Sequence, residues 1–199
     1  MPEVWQAVAA STGVEGLNKT TRDIPDYDEL MHYRLDILAR EGISMSAIET
    51  EIDKLDPLAG AVDFLNAARE HFQIAIISDT FYEFARPLMR KLGHPMLLCH
   101  KLSVENDHIT DYHIRQQDPK RCSVQAFKQL QYRVFAAGDS FNDVTMLDEA
   151  DHGFFFCAPE NVVAQYPDFP LTESYDQLLN ALLIAAKAEK ETEVRGVGS

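Results

Sequence analysis

Cysteine is scarce in this sequence, and the three that occur, Cys99, Cys122 and Cys157, are far apart. An odd number of cysteines without paired spacing argues against a disulfide framework and against the common zinc motifs. The seven histidines are also scattered singly, so no histidine pair has metal-ligand spacing. The pattern is typical of reduced thiols and predicts a cytoplasmic protein.

Positive charge is sparse as well, since 18 Lys and Arg stand against 32 Asp and Glu, giving a net charge of −14. Nucleic-acid binding needs clustered cations and is therefore disfavoured. An acidic chain that handles an anionic substrate needs a metal ion or a few focused cations. No apolar run approaches the ~20 residues of a membrane span, and Met1-Pro2-Glu3 lacks the basic start of a signal peptide.

Helical and strand-like patterns divide the chain. From Pro57 onward, helical stripes alternate with short apolar runs at 74–77, 134–137 and 153–157, a pattern typical of buried parallel strands. We predict an α/β fold in which residues 57–190 form a Rossmann-like parallel sheet core. Residues 1–56 carry only helical patterns and are predicted to form a small helical cap. The polar, Gly-containing residues 191–199 are predicted to be a disordered tail.

Polar residues follow two of the predicted strands. Ser78-Asp79-Thr80 follows the first, and Gly138–Asp143 (GDSFND) follows another. Because ligands bind beyond the carboxyl ends of parallel strands, we expect both groups at one edge of the sheet. Such acids and hydroxyls suit a metal ion and a phosphate. For Asp143 alone, an ordinary helix N-cap is the alternative.

Two cations stand out by their positions. Lys120 is predicted in the first helical turn after Asp118-Pro119, where a cation opposes the helix dipole. It either holds an anion or is an ordinary solvated lysine. Arg34 interrupts an apolar helix stripe formed by Met31, Leu35 and Leu38. A buried charge is costly unless paired, so Arg34 meets either a neighbouring acid or a carboxylate or phosphate of a ligand.

Taken together, these motifs resemble the haloacid dehalogenase superfamily. Its second, third and fourth motifs match Ser78-Asp79-Thr80, Lys120 and Gly138–Asp143. Within it the chain resembles the phosphoserine phosphatases, and most closely those that are also phosphoserine:homoserine phosphotransferases. The resemblance extends to about residue 183 and is carried further by residues 20–31, 78–93, 97–102, 118–121 and 158–162.

The resemblance implies Mg²⁺-dependent hydrolysis of phosphoserine, or transfer of its phosphoryl group to homoserine, through an aspartyl-phosphate. It implies a role in amino-acid biosynthesis. It assigns Lys120 a catalytic role in neutralising the phosphoryl group. The implied Mg²⁺ residues are Asp139, Asn142 and Asp143. The implied substrate-binding residues are Glu3, Arg34, Ser78, Asp79, Lys120 and Asn142. Among them, Glu3 and Arg34 are implied to bind the amino and carboxylate groups of phosphoserine.

One family motif has no counterpart among the 199 residues. The family's first strand ends in D-x-[DE]-G and precedes the Pro-Glu that matches Pro2-Glu3. We therefore expect the nucleophilic Asp, the general acid and a central strand to lie upstream of Met1. The 199 residues alone would then be inactive, with a damaged sheet. A non-catalytic relative that binds a phospho-ligand, a phosphatase for another small phosphomonoester, and a homodimer all remain open.

Overall fold

This computed structural model describes residues 4–20, 23–24 and 26–196, with side chains up to residue 188. The α-helices are α1 (Val4–Thr12), α2 (Tyr27–Arg40), α3 (Met45–Asp53), α4 (Ala61–Arg69), α5 (Tyr82–Lys91), α6 (Pro119–Gln129), α7 (Val144–Glu149), α8 (Glu160–Gln165) and α9 (Tyr175–Gly196). The strands are β1 (Ala75–Phe81), β2 (Met96–Glu105), β3 (His108–His113), β4 (Phe135–Gly138), β5 (His152–Phe156) and β6 (Leu171–Thr172). Short 3₁₀ turns cover Glu15–Asn18 and Phe141–Asp143.

The chain forms two compact units. The first contains Met1–Val62 and Ala75–Gln117, and the second contains Asp63–Ile74 and Asp118–Ser199. The boundaries predicted from sequence pattern, after residues 56 and 190, stay predictions.

The first unit packs its helices and strands around an apolar core. Val8, Met31 and Ile48, from three different helices, have no exposed surface. They pack with Phe84 of α5 and with the strand residues Phe81, Leu102 and Ile109. Burial of a large apolar side chain stabilises by about 1.5–3 kcal/mol. Apolar packing therefore holds the predicted cap helices within this unit.

The caps of α2 and α3 come from acids and hydroxyls, with one change from the sequence pattern. Asp26 caps α2 by accepting from the backbone N–H of Glu29 at 2.8 Å. The sequence predicts Ser46 as the cap of the next helix, but Ser44 has that role. Ser46 instead donates its backbone N–H to the carboxylate of Asp107, 2.9 Å away in the turn between β2 and β3. The local sequence pattern could not predict this contact, because Asp107 is distant from Ser46 in the sequence.

Strands of both units pair as an α/β fold requires. β1 is parallel to β2, and β2 is antiparallel to β3 through a turn in which Asn106 and Asp107 have positive φ. In the second unit β4, β5 and β6 are all parallel. The predicted fold class, with parallel strands and crossover helices, is confirmed.

Two strands have an open edge within the described residues. There, β1 pairs only with β2, and β4 only with β5. The sequence predicts residues 74–77 to be buried, but each is only half-buried. A strand paired on one side keeps part of its backbone and side-chain surface accessible, which accounts for this difference.

The second unit has its own apolar cluster beneath the sheet. Phe154 packs with Leu178, Leu182 and Ala185 of α9. Tyr175 stacks between Phe64 and Phe156, with ring centroids 4.9 and 4.7 Å away. α9 continues to Gly196, into residues 191–199, for which the sequence predicts a disordered tail. The residues beyond 190 include good helix formers, which accounts for the longer helix. Through residue 196, no described helix is long and apolar enough to span a membrane.

Candidate active site

The candidate site begins in the tight loop that follows β4. The strand ends at Gly138, and the chain turns through Asp139 and Ser140 into the 3₁₀ turn Phe141–Asp143. Asp139 and Asn142 are exposed, whereas Asp143 is 6% exposed. The loop thus presents the Asp139 carboxylate and the Asn142 amide to solvent, and buries the second carboxylate, that of Asp143.

Asp143 holds this loop together. Its Oδ1 accepts from the Lys120 ammonium at 2.8 Å. Its Oδ2 accepts from the backbone N–H groups of Asp139 and Ser140, at 2.9 and 3.0 Å, and from the Ser140 hydroxyl at 2.9 Å. A buried carboxylate is stable only when paired and hydrogen-bonded, and both oxygens of Asp143 meet that condition. The acid therefore positions the backbone that carries Asp139.

The surroundings of Asp143 favour its charged form. Burial alone raises the pKa of this carboxyl, but the Lys120 charge and the hydrogen bonds from Lys120, Asp139 and Ser140 outweigh burial. The pKa of Asp143 is consequently held below its usual range. Asp143 is thus a permanent anion at neutral pH, and its charge is balanced by Lys120.

Gly138 is needed at its position because Asp143 lies against it. A methyl group on Gly138 would be 2.6 Å from Cγ of Asp143 and 2.8 Å from its Oδ2. These distances are shorter than van der Waals contact, so any side chain would displace the acid or the strand. The glycine before the loop is thus explained by close approach.

Lys120 reaches Asp143 from the first turn of α6, and its side chain is largely buried. The alternative of an ordinary solvated lysine is therefore wrong. Asp118 occupies the predicted N-cap position, but with φ of 44° its side chain makes no cap hydrogen bond and accepts from Thr145 of α7 at 2.9 Å. This contact links the start of α6 to α7.

The first unit carries the other strand end. β1 pairs regularly with β2 through Ile77, and its register then shifts before Phe81, so Ser78, Asp79 and Thr80 lie in an irregular segment. Asp79 Oδ1 lies 4.0 Å from Nε2 of His100. The irregular register re-aims these side chains relative to a regular strand.

Arg34 lies on α2 and is 7% exposed. Its guanidinium carbon is 4.5 Å from the centre of the Trp5 ring, and Nη2 donates to the Lys19 carbonyl at 2.7 Å. Burial raises the pKa of Tyr27 to about 12, while Arg34 lowers it and Asp79 raises it further. Arg34 and Asp79 therefore belong to the neighbourhood of one tyrosine within the first unit.

The sequence-predicted site residues divide between the units. Lys120, Asp139, Asn142 and Asp143 come together in the second unit, and Arg34, Ser78 and Asp79 belong to the first. Glu3 lies outside the described residues. Among the described residues no group of three or more His, Cys, Asp and Glu side chains is close enough to hold a metal ion alone.

The family of this chain follows from its similarity to known protein families. Residues 12–148 match the haloacid dehalogenase-like hydrolase family. The chain belongs to this family. The match confirms the resemblance that the motifs of the sequence indicated.

Curated relatives within this hydrolase family are similar over most of the chain. A phosphoserine phosphatase of Pseudomonas syringae pv. tomato is 53% identical over 190 residues, covering 95% of this chain and 80% of the relative. Phosphoserine phosphatase ThrH of Pseudomonas aeruginosa is 54% identical, covering 94% of this chain and 91% of the relative. A solved phospho-aspartyl intermediate analogue of phosphoserine phosphatase has a TM-score of 0.72 at 18% identity, covering 90% and 91% of the two chains, and supports the fold.

Two contacts of the candidate site residues, one in each unit, were not predicted. Ser140 forms a capping box with Asp143, since each side chain accepts a hydrogen bond from the other residue's backbone. The spacing S-x-x-D was a readable signal for it. His100, 3% exposed beside Asp79, had no such signal because the contact joins neighbouring strands.

Proposed function

We propose that this chain carries the metal- and phosphate-binding parts of a Mg²⁺-dependent phosphoserine phosphatase. The observation that carries the proposal is the buried Lys120–Asp143 pair beneath the exposed Asp139 at the end of β4. The names of the two Pseudomonas relatives support phosphoserine as the substrate. The exposed Asp139 carboxylate near the buried Lys120 ammonium suits phosphoryl transfer, because this reaction depends on positioning and charge neutralisation.

The loop oxygens fit Mg²⁺. Mg²⁺ binds through one or two carboxylates, water and phosphate oxygens rather than through a complete protein cage. We assign direct binding to Asp139 and supporting contacts to Asn142. Asp143, whose oxygens already accept from Lys120, Asp139 and Ser140, would fix the geometry of the loop. The bound ion would neutralise charge on the phosphoryl group.

The remaining roles are those that the family resemblance implies, and the chemistry of the side chains suits them. Ser78 would donate its hydroxyl hydrogen to a phosphoryl oxygen, within the irregular segment that also contains Asp79. Lys120 would neutralise negative charge as it accumulates on the phosphoryl oxygens. Arg34 would bind the substrate carboxylate with its planar guanidinium, and Glu3 would bind the ammonium group.

We propose that the nucleophilic Asp and the general acid belong to a segment outside these 199 residues. The open edges of β1 and β4 support this, because each can accept a further strand. The Asp carboxylate would attack phosphorus while the bond from phosphorus to the serine oxygen breaks. The general acid would protonate that oxygen, and water would then hydrolyse the aspartyl-phosphate.

Homoserine is the proposed second acceptor. Both reactions share one aspartyl-phosphate, so its hydroxyl would replace water in the second step and release phosphohomoserine. This activity would belong to amino-acid biosynthesis in the cytoplasm, where the free thiols Cys99, Cys122 and Cys157 stay reduced.

The deciding experiment measures phosphoserine hydrolysis with Mg²⁺ by the 199-residue chain and by a chain extended upstream with the D-x-[DE]-G segment. We expect activity only in the extended chain, and its loss in an extended Asp139→Asn variant. Activity of the short chain would show that the nucleophile lies within it. Inactivity of both would favour a phospho-ligand-binding protein or another substrate.

Arg34→Ala tests the substrate class in the same extended chain. If Arg34 binds the carboxylate, KM for phosphoserine should rise about tenfold or more, because a charge-assisted hydrogen bond is lost. Phosphoethanolamine, which has no carboxylate, should be turned over equally by both forms. An equal loss with both substrates would mean that Arg34 acts only through the structure.

A further inference from the structure

A groove in the first unit carries positive charge that the candidate active site does not use. Arg86 of α5, Lys101 of β2 and His94 of the intervening loop line it. Its volume is about 430 Å³. In a chain with a net charge of −14, Arg86 and Lys101 concentrate positive charge in one groove.

Arg86 and Lys101 of this groove differ in their ion pairing from two other cations, Arg90 and Lys91 of α5. Arg90 is paired with Asp53 at 2.8 Å, and Lys91 with Asp56 at 3.0 Å. Within the described part of the chain, the side chains of Arg86 and Lys101 make neither an ion pair nor a hydrogen bond. Their donors are available to an external acceptor.

One carboxylate also lines the groove and limits its charge. Glu83 is the acid concerned, and its Oε2 already accepts from the backbone N–H of Leu102 at 2.9 Å. Arg86, Lys101 and Glu83 together contribute one net positive charge to the lining. That balance suits a single anionic head group.

Apolar side chains form the rest of the wall. Met89, Pro95 and Leu97 line the same groove. A binding site for an organic ligand combines such an apolar wall with a few polar groups that fix the orientation. The ligand should therefore have an apolar body as well as an anionic head.

The loop that presents His94 is conformationally costly. His94 has φ of 51° and follows Gly93, with φ of 73°. Glycine adopts this region freely, whereas a residue with a side chain pays roughly 1 kcal/mol or more. Five other described non-glycine residues also have positive φ, so the conformation by itself does not indicate a ligand site. It fixes where the loop presents the His94 ring. The strained residue and the available cations thus lie on the same groove.

We propose that this groove binds a small organic anion, a phosphate or a carboxylate with an apolar group, through Arg86, Lys101 and His94. The proposal is independent of the phosphatase reaction. The guanidinium of Arg86 can bind either oxyanion with two hydrogen bonds, so the head group is tested rather than assumed.

Binding to the whole 199-residue chain is measured without Mg²⁺ by calorimetry, with amide shifts of residues 82–101 as the second readout. The probes are phenylphosphonate, phenylacetate and inorganic phosphate. Of phenylphosphonate and phenylacetate, the one that binds more tightly is the preferred probe. We expect it to bind at least about fivefold more tightly than inorganic phosphate. Equal binding of phenylphosphonate and inorganic phosphate, with weak phenylacetate binding, would overturn the apolar part of the proposal.

The variant R86Q/K101Q should bind the preferred probe about tenfold more weakly, because two charge-assisted contacts are lost. The control R40Q/K54Q removes the same charge from cations paired with Glu41 and Glu51, and its affinity should stay within about twofold. Equal losses in both would mean that only net charge acts and would overturn the site. The variant D139N separates the groove from the proposed active site, since it should bind unchanged.

His94→Gly tests the strained loop. It should keep or raise the melting temperature, because glycine accepts the positive φ, and weaken probe binding about threefold. Unchanged binding would remove His94 from the site. A lower melting temperature with unchanged binding would show that the ring has only a structural role.

Discussion

Arg34 and Asp143 are both charged and both almost completely buried, at 7% and 6% exposure, but their surroundings differ. Arg34 lies in an apolar helix stripe, against the Trp5 ring and the sulfur of Met31. Asp143 lies in a polar loop, where Lys120 and Ser140 are among its hydrogen-bond donors. The Arg34 guanidinium lies on the Trp5 ring and donates to the Lys19 carbonyl, whereas the Asp143 carboxylate faces a charged ammonium and several N–H and O–H donors.

This difference separates two ways in which a protein keeps a buried charge. Replacing Asp143 would leave Lys120 buried with a lost counter-charge, a situation that is strongly destabilising. Arg34 can spread its delocalised charge over an aromatic face and keep its stem in apolar contact. We therefore expect the fold to depend on the charge of Asp143 far more than on the charge of Arg34.

Asp143→Asn should have the largest effect on stability. The amide keeps the shape but removes the charge that faces Lys120, so the free energy of unfolding should fall by about 3–5 kcal/mol. Urea unfolding at pH 7 measures it. Asp148→Asn, at an exposed position of α7, is the matched control and should change stability by less than about 0.5 kcal/mol.

A double variant sharpens this result. Lys120→Met together with Asp143→Asn leaves neither charge, so it should be more stable than Asp143→Asn alone. Simple addition of the two single losses would contradict a direct coupling between the side chains, and would place the importance of Asp143 in its loop hydrogen bonds.

Low pH should remove the contribution that the charged Asp143 makes to the stability of the fold. The folded-state pKa of Asp143 lies below its usual value, so its stabilisation is present at pH values above about 4, the unfolded pKa. It is lost as the pH falls through the folded pKa. The gap in melting temperature between wild type and Asp143→Asn should be constant near pH 7 and narrow below pH 4. A constant gap down to pH 2 would contradict the pKa shift.

The comparison also shows what the sequence could predict. Arg34 was recognisable as unusual because it interrupts an apolar stripe within a single helix. The loop Gly138–Asp143 was recognisable because its polar residues lie close together in the sequence. Alternating apolar runs and helical stripes predicted the α/β class in the same way. Each of these signals lies within one turn, one strand or one repeat.

Contacts between distant segments were beyond the sequence. Nothing local indicated that Lys120 would pair with Asp143, 23 positions away, or that Asp107 would bind Ser46 from the β2–β3 turn. The half-exposure of residues 74–77 also depends on which strands pair with β1. The unpredicted part is the pairing of elements, which tertiary packing determines.

Gly138→Ala tests the packing side of the Asp143 environment and should have an intermediate effect. The added methyl would lie 2.6 Å from Cγ of Asp143, so the strand or the acid must move, at a cost of about 1–3 kcal/mol. Ala137→Ser adds one heavy atom at the exposed neighbour in β4 and serves as the control. Equal melting temperatures for the two variants would mean that the loop adapts freely.

Arg34→Met should have the smallest effect on stability. Methionine keeps an unbranched apolar stem near Trp5 and Met31, and loses the guanidinium and its hydrogen bond to the Lys19 carbonyl. Replacing a buried charge by an apolar group of similar volume is often neutral, so unfolding free energy should change by less than about 1 kcal/mol. Denaturation by urea beside Asp143→Asn measures this directly. If the two variants lose equal stability, the fold depends on both charges alike, and the expected difference between these two buried sites is wrong.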